Sequence, residues 1–175
     1  MTSVRELQAP LRARYKSDPS CAMVVDRAVS AGHDVADPFH AIVSAQGSTH
    51  PTRVATHRGH GGPHDDATPG DVLSAALCSC FELTVRMVAN AMGLKIATLT
   101  VSVEGDVDLR GSLAMGGVQV GFQAMRVRTA ISLANGGPSE IARLLRVSEA
   151  CCVVGQTLRA GVGITYSSEE RRVGL

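Results

Sequence analysis

The hydrophobic pattern of this chain is strongest between residues 68 and 93. Apolar side chains there go most of the way round a helical cylinder, and the polar side chains recur at spacings of three and four, so they form one narrow stripe. The stripe consists of Ser79, Glu82, Arg86 and Asn90, of which Glu82 and Arg86 are spaced to form an i,i+4 ion pair. The pattern predicts a long helix at the centre of the protein.

Both ends of this predicted helix carry sequence signals. Thr68 is a good N-cap, Pro69 suits the first helical position, and Asp71 follows the cap by three residues, as in a capping box. Gly93 can take the left-handed conformation that closes a helix. We therefore expect the helix to begin directly after Thr68 and to end just before Gly93.

The chain before this helix contains several shorter patterns. Apolar positions at helical spacing predict an amphipathic helix that carries Pro10 and ends at Asp18-Pro19-Ser20; the proline predicts a kink or two short helices. Three β-rich stretches predict an antiparallel meander, and a polar, glycine-rich loop then leads to the central helix. The predicted elements are a helix at 3–16, strands at 21–29, 39–45 and 52–56, a turn at 31–34 and a loop at 58–67.

After Gly93 the pattern changes from strands to a helix and back. Alternating apolar and polar residues predict two long strands, and helical spacing predicts a helix in which Pro138 lies near the first position. The strands are 94–107 and 118–133 with a connection at 111–117, the helix is 139–158, a last strand is 162–166 and a charged tail is 167–175. We expect one domain at 21–175 and a helical extension at 1–20.

Composition narrows the classes of function. The net charge is +1 and aromatic residues make up only 3% of the 175 residues, so both the basic surface and the stacking platforms of a nucleic-acid binder are missing. An apolar run of 18 residues and a signal-peptide core are also missing, which predicts a cytoplasmic protein without a membrane partner. Five cysteines, an odd number, favour reduced thiols over a disulfide framework.

Cysteines are the first candidates for chemistry. Cys78 and Cys80 lie one residue apart on the central helix and therefore face different ways, so at most one of them is expected to react. A thiolate is the nucleophilic form, and a free cysteine is mostly protonated at pH 7. Cys80 lies about three turns into the helix, too far from its N-terminus for the dipole alone to ionise the thiol. A nearby cation is therefore required.

Two motifs resemble those of the OsmC/Ohr family, the osmotically inducible and organic hydroperoxide resistance proteins. Pro-Gly-Asp-Val-Leu-Ser-Ala-Ala-Leu-Cys-Ser-Cys-Phe-Glu-Leu is similar to the family's first-cysteine helix. About 70 residues later, Cys-Val-Val-Gly-Gln-Thr-Leu at 152–158 and Gly-Ile-Thr-Tyr at 163–166 are similar to its second-cysteine helix and closing strand. The resemblance covers roughly residues 22–167 and implies an α+β fold in which antiparallel sheets wrap two central helices of an intertwined homodimer.

The resemblance implies a thiol peroxidase that reduces organic hydroperoxides without a metal or cofactor. By position, Cys80 would be the peroxidatic and Cys152 the resolving cysteine, and a dithiol would reduce their disulfide. The family supplies an arginine before the helix, for which Arg58 is the first candidate and Arg53 the second. The glutamate that holds this arginine in the family is replaced here by Gly70, and a family proline by Val153.

Two other functions are consistent with the sequence. Because the glutamate is replaced, the chain could be an OsmC-like protein with weakened catalysis that acts as a redox-sensing or binding module. A metal-binding loop is a third hypothesis, based on His50, His57, His60 and His64, although only the last two have an acceptable ligand spacing. Motifs of hydrolases and of phosphate-binding loops are absent from the sequence.

Overall fold

A computed structural model describes residues 3–30 and 34–168, and these form an α+β fold as predicted. The helices are α1 (Val4–Ser17), α2 (Pro69–Ala91), α3 (Leu109–Ser112), α4 (Pro138–Cys151) and α5 (Val153–Ala160). The strands are β1 (Ala28–Ser30), β2 (His40–Ala45), β3 (Thr52–Ala55), β4 (Ile96–Val107) and β5 (Phe122–Leu133). Most of the predicted turn at 31–34 and of the predicted tail at 167–175 lies outside the described residues.

The strands form two antiparallel sheets. The first has the order β1-β2-β3, which confirms the predicted meander, and pairs His40 with Ala55. The second consists of the long strands β4 and β5, in which Val103 lies opposite Val127. Both long strands were predicted within a few residues, because alternation of apolar and polar positions is most informative over long strands.

Helix α2 is the central element of the fold. Leu77, Phe81, Val85 and Ala89 recur every four residues, are buried, and pack with Leu144 of α4 and with Cys152. The capping box of Thr68 and Asp71 is present, Pro69 is the first helical residue, and Gly93 has a φ of 72°, so both predicted ends are confirmed. By length and composition α2 could cross a membrane, with a mean hydropathy of 1.6, but here it packs against β4, α4 and α5.

Two predictions in the N-terminal part were wrong. The strand predicted at 21–29 is reduced to the three residues of β1, because β2 ends at Ala45 and offers no partner to the residues before Ala28. Cys21 instead lies in a 3-10 turn, Pro19–Ala22, whose N-cap Asp18 accepts a hydrogen bond from the Ser20 amide. The predicted division of the first helix at Pro10 into two short helices is also absent, since α1 is one continuous helix.

Two predictions in the C-terminal part were also wrong. The single helix expected at 139–158 is divided into α4 and α5 by Cys152, whose ψ of 105° is extended rather than helical. The strand expected at 162–166 has no strand partner among the described residues, and its apolar side chains are exposed.

Candidate functional site

The structure brings Cys80 and Cys152 together. Their sulfur atoms lie 3.6 Å apart, although the residues are 72 positions apart in the chain. Helix α2 supplies Cys80, and the break between α4 and α5 turns Cys152 back against it. The S–S distance of a disulfide is about 2.05 Å. The two sulfurs therefore need to approach each other by only about 1.5 Å to form a bond.

The surroundings of Cys152 differ from those of Cys80. Cys152 is only 2% exposed, whereas Cys80 is half-buried. Burial raises the pKa of the Cys152 thiol above its ordinary value, although the Gly155 amide, at the N-terminus of α5, donates a hydrogen bond to its sulfur at 3.4 Å and opposes that rise. Because Cys152 is held as a neutral thiol, Cys80 is the better placed of the two to attack first.

A cavity of about 1000 Å³ lies beside Cys152, and we call it the thiol cavity. Its walls come from α2, β5, α4 and α5 and are largely apolar, with charged groups from α4 and α5 as well. Of these, Arg159 forms an ion pair with Glu149, whereas Arg146 forms neither a hydrogen bond nor an ion pair within the described part of the chain. Arg146 is therefore a cation available to a ligand in the thiol cavity.

Sequence reasoning missed Arg146. In one continuous helix, residues 146 and 152 would point about 120° apart, so the predicted helix at 139–158 did not place them side by side. The break at Cys152 allows both residues to line the same cavity. A signal for that break was present, since the family resemblance expects a proline where Val153 begins α5, and proline favours the first position of a helix.

The two predicted arginines lie elsewhere. Arg58 is exposed in a 3-10 turn, Arg58–His60, and in the described residues it forms no hydrogen bond with either sulfur. Arg53, on β3, is held in ion pairs with Asp65 and Asp66. The structure thus leaves the Arg58 side chain uncommitted and gives Arg53 a structural role.

Gly70 lies in the first turn of α2, where the resemblance places a glutamate. A Cβ added at Gly70 would lie 3.4 Å from Cζ of Phe122, the first residue of β5. This is ordinary van der Waals contact, so a side chain at position 70 would lie beside the Phe122 ring without displacing it. Asp71 does not replace that carboxylate, because it accepts hydrogen bonds from the Thr68 amide and hydroxyl, which lower the pKa of Asp71.

The remaining cysteines lie apart from the pair. Cys78 donates a hydrogen bond from its sulfur to the Val101 carbonyl at 3.2 Å, and it faces a second cavity of about 920 Å³ that also contains His57 and His60. Cys151 is exposed, and the Cys21 thiol donates a hydrogen bond to the Asp18 carboxylate at 3.0 Å. Residues 3–30 and 34–168 contain no group of three or more His, Cys, Asp or Glu side chains arranged to hold a metal ion.

Comparisons with known proteins identify a family and a fold. A family model described as OsmC-like protein matches residues 61–167. Among solved structures, the chain is similar to an OsmC-like protein from Mycoplasma pneumoniae, with a TM-score of 0.63 at 15% identity over 79% of this chain and 89% of that one.

Two further structures are an organic hydroperoxide resistance protein OsmC from Legionella pneumophila and one from Elizabethkingia anophelis. Each has a TM-score of 0.59 at 18% identity; the first covers 78% of this chain and 90% of its own, the second 79% and 91%. A comparison with curated proteins gave no match. At such identities the structural likeness establishes the fold alone.

Proposed function

This chain belongs to the OsmC-like protein family, and we propose that it is a thiol-dependent peroxidase that reduces organic hydroperoxides with Cys80 and Cys152. One observation carries the proposal: the two sulfurs lie 3.6 Å apart, and one of them, that of Cys152, lines a largely apolar cavity. When one of two contacting cysteines is oxidised to a sulfenic acid, the other can form a disulfide with it. An apolar cavity suits the carbon body of an organic hydroperoxide.

In the first step, the Cys80 thiolate attacks the terminal oxygen of the hydroperoxide. The O–O bond breaks, Cys80 becomes a sulfenic acid, and the leaving alkoxide takes a proton and departs as an alcohol. In the second step, the Cys152 sulfur attacks the Cys80 sulfur, and the sulfenic oxygen leaves as water while the disulfide forms. A dithiol then exchanges with this disulfide, is oxidised itself, and returns both cysteines to thiols.

The thiolate of Cys80 needs a positive neighbour. We propose Arg58 for this role, because it is uncommitted in the turn that leads to α2, with Arg146 of the thiol cavity as the alternative. Arg58→Gln and Arg146→Gln separate the two, and Arg143→Gln is the control because Arg143 is exposed on α4 outside both cavities. The pKa of the Cys80 thiol is measured from the pH dependence of its alkylation rate, and loss of the responsible arginine should raise this pKa. If only Arg146→Gln raises it, the proposal that Arg58 activates Cys80 is contradicted.

The activity itself is tested by peroxide consumption with a dithiol reductant. Cys80→Ser should reduce the rate to background, and Cys152→Ser should permit one turnover and then stop. Cys78→Ser is the matched control, since Cys78 lies on the same helix but faces the second cavity. Equal rates for the wild type and Cys80→Ser would remove the proposal.

We also propose that the protein is a homodimer. Apolar side chains of the N-terminal sheet region and of the segment after α5 are exposed in one chain, among them Val29 and Ile164, of which Ile164 is 71% exposed. Residues 162–166 alternate like a strand and could add to a sheet of a second copy. Sedimentation should give twice the mass of one chain; Ile164→Asp should lower it and Met115→Asp, an exposed control, should not. A monomeric wild type would contradict the proposal.

The domain division and the location remain proposals as well. We propose residues 1–20 as an extension of the domain at 21–175, and within it the Val4 amide of α1 donates a hydrogen bond to the Asn90 side chain at the end of α2. Because this contact lies at the C-terminal end of α2, away from Cys80, removal of residues 1–20 should leave the peroxidase activity intact. We place the protein in the cytoplasm, since a reducing compartment preserves its free thiols.

A second candidate function is redox sensing or binding by a protein with weakened catalysis. Gly70 favours it, because the glutamate expected to hold the activating arginine is missing. The pKa of the Cys80 thiol, measured from the pH dependence of alkylation, distinguishes the two functions. A value near that of free cysteine supports the weakened protein, and a clearly lower value supports the peroxidase.

A further inference from the structure

The thiol cavity gives access to one sulfur of the cysteine pair and not to the other. Cys152 lines this cavity, whereas Cys80 lines neither of the two cavities formed by the described residues. The thiol cavity has a volume of about 1000 Å³ and is partly open to solvent. Because Cys152 is otherwise buried, this cavity is the side from which a small reagent reaches its sulfur.

The lack of a side chain at Gly155 keeps this side of the Cys152 sulfur open. Gly155 lies in the first turn of α5 and also lines the thiol cavity. A Cβ added at Gly155 would lie 3.3 Å from the sulfur of Cys152, which is closer than most side chains approach each other. Any larger residue at this position would therefore crowd the sulfur from the wall of the cavity.

The charged groups on the cavity wall favour an anionic reagent. Arg159 is paired with Glu149, whereas the charge of Arg146 is not compensated by an ion pair within the described part of the chain. The wall thus carries one positive charge in excess. A thiolate is the form of a reductant that attacks a disulfide, and a positively charged wall attracts it.

The choice of leaving sulfur favours attack on Cys152 as well. A thiolate that attacks Cys152 releases Cys80, and one that attacks Cys80 releases Cys152. Burial raises the pKa of the Cys152 thiol, which makes Cys152 the poorer leaving group of the disulfide. Cys80 is the sulfur that the proposed peroxidase uses as a thiolate, so its release also restores the nucleophile directly.

We propose that the thiol cavity binds the dithiol reductant and that electrons enter the oxidised protein through Cys152, an inference that rests on the proposed peroxidase function. After the alcohol has left, one thiolate of the reductant attacks Cys152, the Cys80–Cys152 bond breaks, and Cys80 leaves as a thiolate. The second thiol of the reductant then attacks the reductant sulfur bound to Cys152. The reductant departs as a cyclic disulfide, and the Cys152 thiolate accepts the Gly155 hydrogen bond and takes up the proton of the second thiol.

The first experiment identifies the sulfur that a thiol attacks. Diamide, an oxidant that needs no peroxidase activity, converts the reduced protein to the Cys80–Cys152 disulfide in a Cys151→Ser background, which removes the adjacent exposed thiol. The monothiol β-mercaptoethanol is added, the reaction is stopped early with acid, and free thiols are alkylated with N-ethylmaleimide for peptide mass spectrometry. We expect the mercaptoethanol adduct on Cys152 and the maleimide on Cys80. The reverse assignment, equal adducts on both, or no disulfide after diamide would overturn the inference.

A matched pair of variants tests the route through the cavity. Gly155→Ala adds a methyl group beside Cys152 and keeps the backbone amide, whereas Val153→Ala changes the same helix at a residue that is 72% exposed and outside both cavities. Gly155→Ala should slow cleavage of the disulfide by the monothiol about tenfold and lower the share of adduct on Cys152, because exchange depends on access to the attacked sulfur. Val153→Ala should change neither. Equal rates and shares in the wild type and Gly155→Ala, with urea midpoints showing both folded, would overturn the route.

These results separate the inference from the proposed function. If the adduct forms on Cys152 while the reduced wild type consumes no peroxide, the proposed function fails and the entry of electrons at Cys152 stands. If peroxide is consumed and the adduct forms on Cys80, the peroxidase function stands and the inference is overturned.

Discussion

The N-terminal sheet region, residues 21–67, and the cysteine-bearing region, residues 69–160, are stabilised differently. In the cysteine-bearing region, α2 and α4 bury a continuous apolar cluster around Phe81, Val85 and Leu144 that also includes Cys152. In the described part of the N-terminal region, Val54 and Ala55 are the buried hydrophobic residues. Burial thus supports the site, and it also determines the protonation of one of its thiols.

The N-terminal sheet region depends instead on charged hydrogen bonds. His40 on β2 bonds to Asp37 at 2.6 Å and to Asp65 at 2.9 Å, and Arg53 on β3 bonds to Asp65 and Asp66. These contacts connect the sheet to the loop that precedes α2. Because of this difference, we expect substitutions of buried residues to reduce stability more in the cysteine-bearing region. We expect acidic and neutral pH changes to affect mainly the N-terminal sheet region.

The largest expected effect comes from the buried cluster. Leu144 is 0% exposed, so Leu144→Ala should reduce the free energy of unfolding by about 2–5 kcal/mol. Val24, 79% exposed in the N-terminal sheet region, is the comparison, and Val24→Ala should change it by no more than about 0.5 kcal/mol. Urea denaturation measures both. Equal losses would mean that the N-terminal region is buried as well, and the contrast would fail.

The next effect is the pH dependence caused by Cys152. Burial raises the pKa of its thiol in the folded state, whereas the unfolded thiol ionises near pH 8.5. The folded state therefore retains a proton that the unfolded state loses, and stability decreases as the pH rises above about 8.5. Under reducing conditions, the urea midpoint of the wild type should fall more steeply from pH 8 to pH 10 than that of Cys152→Ala. Parallel curves would contradict this explanation.

The N-terminal sheet region should respond to pH in a different range. Hydrogen bonds to Asp37 and Asp65 raise the pKa of His40, so its contribution is complete below about pH 6.5 and is lost as the pH rises through the folded-state pKa. Hydrogen bonds from the Phe39 amide and from His40 lower the pKa values of Asp37 and Asp65, respectively, so their contributions are lost as the pH falls below about 4.

The measurement is the urea midpoint of the wild type and of His40→Asn between pH 5 and pH 8.5. The destabilisation by His40→Asn should be greatest near pH 5–6 and should shrink toward pH 8.5. A constant difference would show that His40 contributes by packing or by neutral hydrogen bonds instead of by charge.

The smallest effect is expected on the exposed surface of the cysteine-bearing region. The predicted Glu82–Arg86 pair is confirmed at 3.5 Å, with both side chains exposed. A double-mutant cycle of Glu82→Ala, Arg86→Ala and the double variant, measured by urea denaturation, should give a coupling free energy of about 0.2–0.5 kcal/mol. This coupling should decrease in high salt. A coupling above about 1 kcal/mol would indicate that this surface is buried, as it would be at a subunit boundary.

The sequence predicted what local chemistry and long periodic patterns determine. Thr68, Asp71 and Gly93 specify the ends of α2 through hydrogen bonds and backbone conformation within a few residues, so both ends were predictable. Strands β4 and β5 are long enough for their alternation to be clear. The pairing of Cys80 with Cys152 was expected from the family resemblance alone, because no local pattern connects residues 72 positions apart.

The features that were missed depend on contacts between distant elements. The extended backbone of Cys152 occurs within a periodic pattern that by itself predicts one helix, and this pattern does not indicate that Arg146 and Cys152 line one cavity. The segment at 162–166 has the alternation of a strand, but pairing requires a partner that the sequence does not identify. Phe122 lies against Gly70 and Gly105 only because β5 begins at that point of the fold.

The most direct test of the central claim is the bond formed after one equivalent of an organic hydroperoxide. The fully reduced protein is treated, the remaining thiols are alkylated, and the peptides are analysed by mass spectrometry without reduction. The account predicts a Cys80–Cys152 disulfide as the main product, formed at the rate at which peroxide disappears, with Cys21, Cys78 and Cys151 still alkylated. A link between any other pair, or peroxide loss without this disulfide, would contradict it.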